Sequence, residues 1–240
     1  EGVVVLAPVA IILAAINGVV DILTATGVPT AISLTLLDLS GGVLIVAAIL
    51  SMIICIILGL GMPTTASYTI VALLVAPTLI SQFFLPELAS HFFVFYADIL
   101  AGLTPPIATC VAVACGIAGA DFWRSCVEAI KISAPLFVLP FVFIYHPDIV
   151  SAELNMATAQ IGILAMLGAV AIIHGINFPF RFDSRAQVLG ARVVFFVGGV
   201  ITMVYPTFLI QAAAVGVLAI LYGSQVATGQ ASLRPAEAEG

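Results

Sequence analysis

Apolar runs long enough to cross a bilayer recur along the chain, separated by short polar interruptions. A crossing helix needs about 20 apolar residues, within a range of about 17–25. Residues 3–20 form one such run, closed by Asp21, and residues 157–173 form another. Residues 41–60 and 64–80 are two runs separated only by Gly61-Met62-Pro63. Residues 91–120 form a long run broken at Leu103-Thr104-Pro105-Pro106. Residues 130–145 end at His146-Pro147-Asp148, and residues 193–205 and 207–222 form a tight pair around Pro206. A shorter amphipathic run, 30–38, follows Gly27-Val28-Pro29 and predicts an interfacial arm. Residues 83–87 form a connection, and polar residues fill 181–187 and the tail from Gly223. The pattern predicts an all-α polytopic membrane protein with a re-entrant helical hairpin and a discontinuous transmembrane helix. It divides into residues 1–40 (a span and the arm), 41–150 (hairpin, broken helix and following span) and 151–240 (additional helices and tail).

Composition supports the membrane reading. Hydrophobic residues make up 63% of the 240 positions and charged residues 8%, against about 25% charged in soluble domains. Six Lys and Arg residues and a net charge of −6 leave no basic surface for nucleic acid. The chain opens at Glu1-Gly2 and runs directly into apolar sequence, without a basic n-region or a cleavage site. That opening predicts a segment of a longer polypeptide, not a signal peptide. Cys55, Cys110, Cys115 and Cys126 form no CxxC pair and are expected to be buried small hydrophobes.

Charge placement predicts sidedness, because Lys and Arg concentrate on the cytoplasmic side. Arg124 and Lys131 share one connection, Arg181, Arg185 and Arg192 another, and Arg234 lies in the tail. Two crossings between successive groups put all three inside. Asp21, Asp38, Glu87, Asp148 and Glu153 then fall outside, and residues 41–80 must enter and leave from the outer side. Trp123 beside Arg124 is expected to anchor at the interface.

The chemistry concentrates in the two breaks. A free N–H or C=O in the hydrocarbon must find a partner or line a wet cavity. In each break a glycine is suited to a helix C-terminus, a proline to the first turn of the next helix, and a threonine to its cap. The helix N-termini expected at Thr64-Thr65 and at Thr104 carry about half a positive charge and suit a carboxylate. The carbonyls near Leu60-Gly61 and Ala101-Gly102 suit a desolvated Na⁺, the arrangement of secondary transporters. Taken singly, either break is explained by a proline kink and glycine packing; the pair, about forty residues apart, favours a site.

Ser67, one turn inside the hairpin tip, is a further ligand candidate, whereas Tyr68 and Thr69 are expected to bond back to their own helix. Asp98 lies about one turn before the second break. An ionisable residue within a span completes a cation site or carries a proton; the alternative is that it snorkels at the outer end. His91, His146 and His174 flank spans and are expected to serve interfacial packing.

The segments around the breaks resemble a known family. Gly61-Met62-Pro63-Thr64-Thr65-Ala66, followed by an arm reaching Ala76-Pro77, resembles the second hairpin of tripartite ATP-independent periplasmic (TRAP) transporters. Phe93-Val94-Phe95-Tyr96, Leu103-Thr104-Pro105-Pro106 and Gly116-Ile117-Ala118-Gly119-Ala120-Asp121 resemble the discontinuous helix that follows it. The run 140–147, with Tyr145-His146-Pro147, is similar to the fused type, in which small and large membrane subunits form one polypeptide. The likeness covers roughly residues 41–150, which then correspond to the second repeat; the last ninety match in hydropathy alone.

The resemblance implies import of small organic acids, typically carboxylates, across the bacterial inner membrane. It implies a Na⁺ gradient as driving force, with Na⁺ a coupling ion and no cofactor. A periplasmic substrate-binding protein, of the TAXI class in the fused type, delivers the substrate, and a transport domain moves elevator-like against a scaffold. Family contacts map to Gly61, Thr64, Thr65, Gly102 and Thr104. Together with the candidates above, the expected substrate contacts are Thr64, Thr65, Ser67 and Thr104, and the expected Na⁺ contacts are Gly61, Gly102, Thr104 and Asp98. The family carries two inverted repeats where this sequence shows one hairpin and one broken helix, so a complete site requires the N-terminal half of the same permease. The competing readings are an H⁺-coupled transporter and a non-transporting assembly subunit. An intramembrane enzyme is not expected, because the sequence has no GxGD, GxSG or HExxH segment.

Overall fold

The structure, a computed structural model, describes residues 21–60, 62–151, 155–178, 180 and 184–227, together with Ile11, Ala14, Ala15, Gly18 and Val19. Most of the expected first span (3–20), Gly61, Arg181, Glu153, Arg234 and the tail from residue 228 lie outside the described residues. The described residues form helices and turns, with no strand among them. Two compact units divide the chain near residue 130.

In the first unit, α1 (Val28–Ser40) begins behind Gly27, whose positive φ of 72° turns the chain, and carries Pro29 in its first turn. It stops where Gly41 and Gly42 take left-handed backbone angles and donate N–H bonds to the Asp38 and Leu37 carbonyls. Next come α2 (Leu44–Gly59) and α3 (Thr64–Phe83), then α4 (Glu87–Ile99), a 3-10 turn (Leu100–Gly102), α5 (Thr109–Ala118) and α6 (Phe122–Ile132). Helices α1 to α4 pack on one another. Leu36, Val71, Leu79, Phe93 and Val94 are buried between them. The inner face of α2 is a stripe of small residues four apart, Ala47, Ser51, Cys55 and Gly59, all buried. That spacing lets helix backbones approach closely. At 16 residues, α2 is short of the about 20 a crossing requires, as a re-entrant arm should be.

The second unit takes in the end of α6 from Lys131 onward and contains α7 (Ala134–Tyr145), α8 (Met156–Asn177), α9 (Arg185–Val204) and α10 (Phe208–Ala227). Thus α7, which sequence pattern groups with the hairpin in 41–150, packs against α8 and α9. The expected span at 130–145 is interrupted at Ser133. Asn155 caps α8, its side-chain oxygen accepting the Thr158 N–H at 2.8 Å. Ser184 caps α9 in the same way, accepting the Ala186 N–H at 3.3 Å. That cap starts α9 eight residues before the Val193 that hydropathy alone suggests, so the polar sequence from Arg185 is helix and not loop. Helices α8 and α9 meet through glycines: a Cβ on Gly199 would lie 2.7 Å from the Gly168 carbonyl oxygen, and one on Gly175 3.1 Å from that of Arg192.

Among the described residues, three helices, Thr64–Phe83, Met156–Asn177 and Arg185–Val204, are long and apolar enough to cross a membrane, and a fourth span results if Phe122–Ile132 and Ala134–Tyr145 act as one. The outer faces of α8 and α9 carry exposed Ile163, Val170, Leu189 and Val193. Such faces suit lipid and not water. The protein is an all-α polytopic membrane protein.

Candidate functional site

The hairpin tip turns within four residues. Helix α2 ends at Gly59, Leu60 takes an extended conformation, and Pro63, also extended, precedes the first turn of α3. The Leu60 N–H bonds to the Ile57 carbonyl at 3.3 Å, and the Ser67 N–H to the Pro63 carbonyl at 3.0 Å. The expected threonine cap does not form: Thr64 and Thr65 lie inside the first turn, exposed, and no side chain caps α3. Pro63 occupies the cap position because its ring fixes φ and its carbonyl still accepts the first helical bond. The N–H groups of that first turn have no acceptor within their own helix.

Asp98 sits in the last turn of α4 and is only 3% exposed. It does not snorkel. Its carboxylate accepts a hydrogen bond from the Ser67 hydroxyl of α3. Gly59 covers the same group: a Cβ there would lie 2.6 Å from Asp98 Oδ1 and 2.8 Å from Ala101 Cβ. Three elements therefore close on one carboxylate: the end of α2 through Gly59, the first turns of α3 through Ser67, and α4 through Asp98 itself. Among the described residues, no cationic side chain adjoins it.

The second break is longer than the sequence pattern predicts. After the 3-10 turn Leu100–Gly102, the Thr104 hydroxyl donates to the Leu100 carbonyl at 2.7 Å and its N–H to the Ala101 carbonyl at 3.3 Å. Thr104 thus closes the preceding helical segment and does not open the next. The Pro105-Pro106 peptide is cis, Ala108 has a left-handed φ of 39°, and α5 begins at Thr109. Consecutive prolines explain the delay. Neither has an N–H, and a residue before proline is steered away from helix. Gly102 faces the start of α5, where a Cβ would lie 3.0 Å from Cys110 Sγ.

Of the sequence candidates, the structure joins Ser67 and Asp98 directly, leaves Thr64 and Thr65 on the open side of the tip, and places Gly102 and Thr104 at the end of the 3-10 turn. Gly61 lies outside the described residues. Thr69 bonds back to the Thr65 carbonyl at 2.8 Å as expected, but the Tyr68 hydroxyl instead meets His91 Nδ1 at 2.9 Å. Cys110 is exposed, unlike the other three cysteines. Gly59 is the contact residue that the motif reading missed; the four-residue stripe on α2 was the available signal.

A hard monovalent cation takes oxygen ligands, and the Asp98 carboxylate, the Ser67 hydroxyl and carbonyls at the breaks are of that type. No group of three or more His, Cys, Asp or Glu side chains gathers among the described residues. An anion, by contrast, suits the exposed N-terminus of α3.

No curated protein and no solved structure matches the chain. The family model described as tripartite ATP-independent periplasmic transporter, DctM component, matches residues 1–156. That match contains the hairpin, both breaks, Ser67 and Asp98, and ends where α8 begins. Since it spans well over half of the 240 residues, the chain belongs to the DctM family of tripartite ATP-independent periplasmic transporters, the membrane permease components of those systems.

Proposed function

We propose that this chain supplies the C-terminal, second-repeat half of the transport site in a fused-type permease that imports small organic acids on a Na⁺ gradient. The observation that carries this reading is the convergence of Gly59, Ser67 and Asp98 where a re-entrant tip meets a discontinuous helix. In this reading Asp98 and Ser67, with Gly61, Gly102 and Thr104, serve the ion. Thr64 and Thr65, exposed at the tip, serve the substrate carboxylate; Ser67 and Thr104, expected there too, give their hydroxyl protons to Asp98 and to the Leu100 carbonyl and keep only lone pairs, which suit the ion. The site is completed by the N-terminal half of the same permease and fed by a periplasmic binding protein, TAXI-type by resemblance, at the bacterial inner membrane.

Uptake by the full-length permease in proteoliposomes, with its binding protein, tests the assignment. Asp98→Asn and Thr104→Val should each raise the Na⁺ concentration for half-maximal uptake at least tenfold with expression intact, an energy of about 1.4 kcal/mol. Unchanged Na⁺ dependence in both variants would remove the ion role. One observation favours a second reading, H⁺ coupling: a carboxylate buried with no adjoining cation among the described residues is costly unless it protonates. Uptake driven by an imposed pH gradient without Na⁺, and lost in Asp98→Asn, would establish that reading over the first.

A further inference from the structure

Lys131 and Arg192, two of the six cationic side chains of the whole sequence, line one cavity of about 300 Å³ in the second unit. Its other walls are Gly175, Ile176, Val193 and Phe196, all without side-chain charge. The two cations stand on fixed backbone. Asn177 Nδ2 donates to the Lys131 carbonyl and to the Ile173 carbonyl, both at 3.2 Å, which ties the base of Lys131 to the end of α8. Gly175 allows the backbone of α9 at Arg192 to approach α8, since a Cβ there would lie 3.1 Å from the Arg192 carbonyl oxygen. From the cavity, Val193, Phe196 and Val197 continue along an exposed apolar face of α9. The position is where a crossing helix ends, with charge at the helix end and hydrocarbon along its side.

We propose that this cavity binds an anionic phospholipid, its phosphate between the Lys131 ammonium and the Arg192 guanidinium and one acyl chain along Val193 and Phe196. Arg presents a planar fork suited to phosphate oxygens and Lys a point charge. Basic pockets between membrane helices recognise anionic headgroups in this way. A zwitterionic lipid would bring its own cation toward two others. A free phosphate would leave the apolar walls uncovered. Glu128 lies three residues before Lys131 on the same helix, a spacing at which opposite charges attract. Glu128→Gln should therefore tighten binding.

The test uses full-length protein, delipidated in detergent and titrated with phosphatidylglycerol, with phosphatidylcholine of the same chains, or with inorganic phosphate. Lipid retention is read by native mass spectrometry. Phosphatidylglycerol is expected to bind in preference to phosphatidylcholine. Lys131→Gln and Arg192→Gln should each weaken it about fivefold, and the double variant about 25-fold; Arg192→Lys should retain most of the affinity, and Arg185→Gln all of it. The proposal is overturned if the double variant retains phosphatidylglycerol as the parent does, if phosphatidylcholine binds equally, or if inorganic phosphate alone displaces the lipid dependence. Should the double variant fail to fold, Arg192→Gln alone, a change to an exposed side chain, decides by the same criterion.

Discussion

The contact between Gly59 and Asp98 gives the sharpest test of the site geometry. In Gly59→Ala, the new methyl would stand 2.6 Å from Asp98 Oδ1, 2.8 Å from Ala101 Cβ and 3.1 Å from the Asp98 carbonyl oxygen. Two of those atoms are fixed to the backbone of α4 and its 3-10 extension, so no side-chain rotation relieves them. The tip must retreat by about 0.6 Å to bring the Ala101 contact to the 3.4 Å edge of ordinary packing. Rotating the carboxylate away instead breaks its bond to Ser67. Overpacking of this kind costs about 1–3 kcal/mol, and an unmade bond to a buried polar group costs a similar about 1–3 kcal/mol. The gain in helix propensity from Gly to Ala is at most about 1 kcal/mol and small at a last helical position. A net loss of about 1–3 kcal/mol in closing the tip raises the opened fraction by about 5- to 150-fold. Cys55, one turn earlier on α2 and fully buried, reports that opening. Its alkylation by a small maleimide, followed by peptide mapping, should accelerate by that factor. Cys126, buried in the separate cluster with Ala108, Val111 and Cys115, should react at the parent rate. Equal rates at Cys55 in parent and variant would show that the tip does not rest on Asp98.

Glycine packing in the second unit predicts a contrast between two chemically identical substitutions. Gly199→Ala would place a methyl 2.7 Å from both the Gly168 carbonyl oxygen and Ile172 Cγ1, and should lower thermal stability by about 1–3 kcal/mol; Gly216→Ala, with nothing within 4 Å, should not, and equal melting temperatures would refute the α8–α9 contact. His146, just past the end of α7, is buried beside Gln211 and near the Tyr205 and Val204 backbone, and burial lowers its pKa against the opposing pull of those groups and Asp148. The unfolded imidazole, with its ordinary pKa of about 6.5, then binds a proton that the folded one resists, so stability should fall as pH drops below about 6.5; a melting-temperature slope between pH 7 and 5 that is unchanged in His146→Gln would refute this.

The helical membrane architecture was legible because bilayer thickness fixes run length, and residues 41–60, 64–80 and 157–173 reappear as α2, α3 and α8 with small changes at their ends. The first break was also legible, since Gly59 ends one helix and Thr64 opens the next. What local pattern could not settle was where polar atoms turn. Thr104 stands before two prolines as a cap would, yet its hydroxyl reaches back to Leu100, because the prolines prevent a helix from restarting there. Arg185 read as loop on hydropathy; Ser184 caps a helix that hydropathy does not register. Asp98 at one turn before a break fits an exposed end or a buried site equally well in sequence. Only the tertiary approach of Ser67 and Gly59 decides between them.

The two breaks also differ in what they offer, and the difference bears on coupling. The first turns within four residues, so the N-terminus of α3 is presented at the tip with its first-turn N–H groups and Thr64 and Thr65 open. The second closes its own C-terminal end through Thr104, adds the Asp98 carboxylate, and defers its N-terminus to Thr109. One break is thus partially positive, and the other carries negative charge. Gly59 and Ser67 hold them against each other. An anion approaching the tip meets repulsion from Asp98 unless that charge is offset. A cation held at Asp98 removes the repulsion and so raises anion affinity, and by linkage the anion raises cation affinity by the same factor. On the proposed reading, cooperative binding of the two follows from Coulomb's law acting across the Gly59–Asp98 contact. The same linkage holds if the offset is a proton on Asp98, so Asp98→Asn, which removes the charge to be offset, should make anion binding independent of either ion.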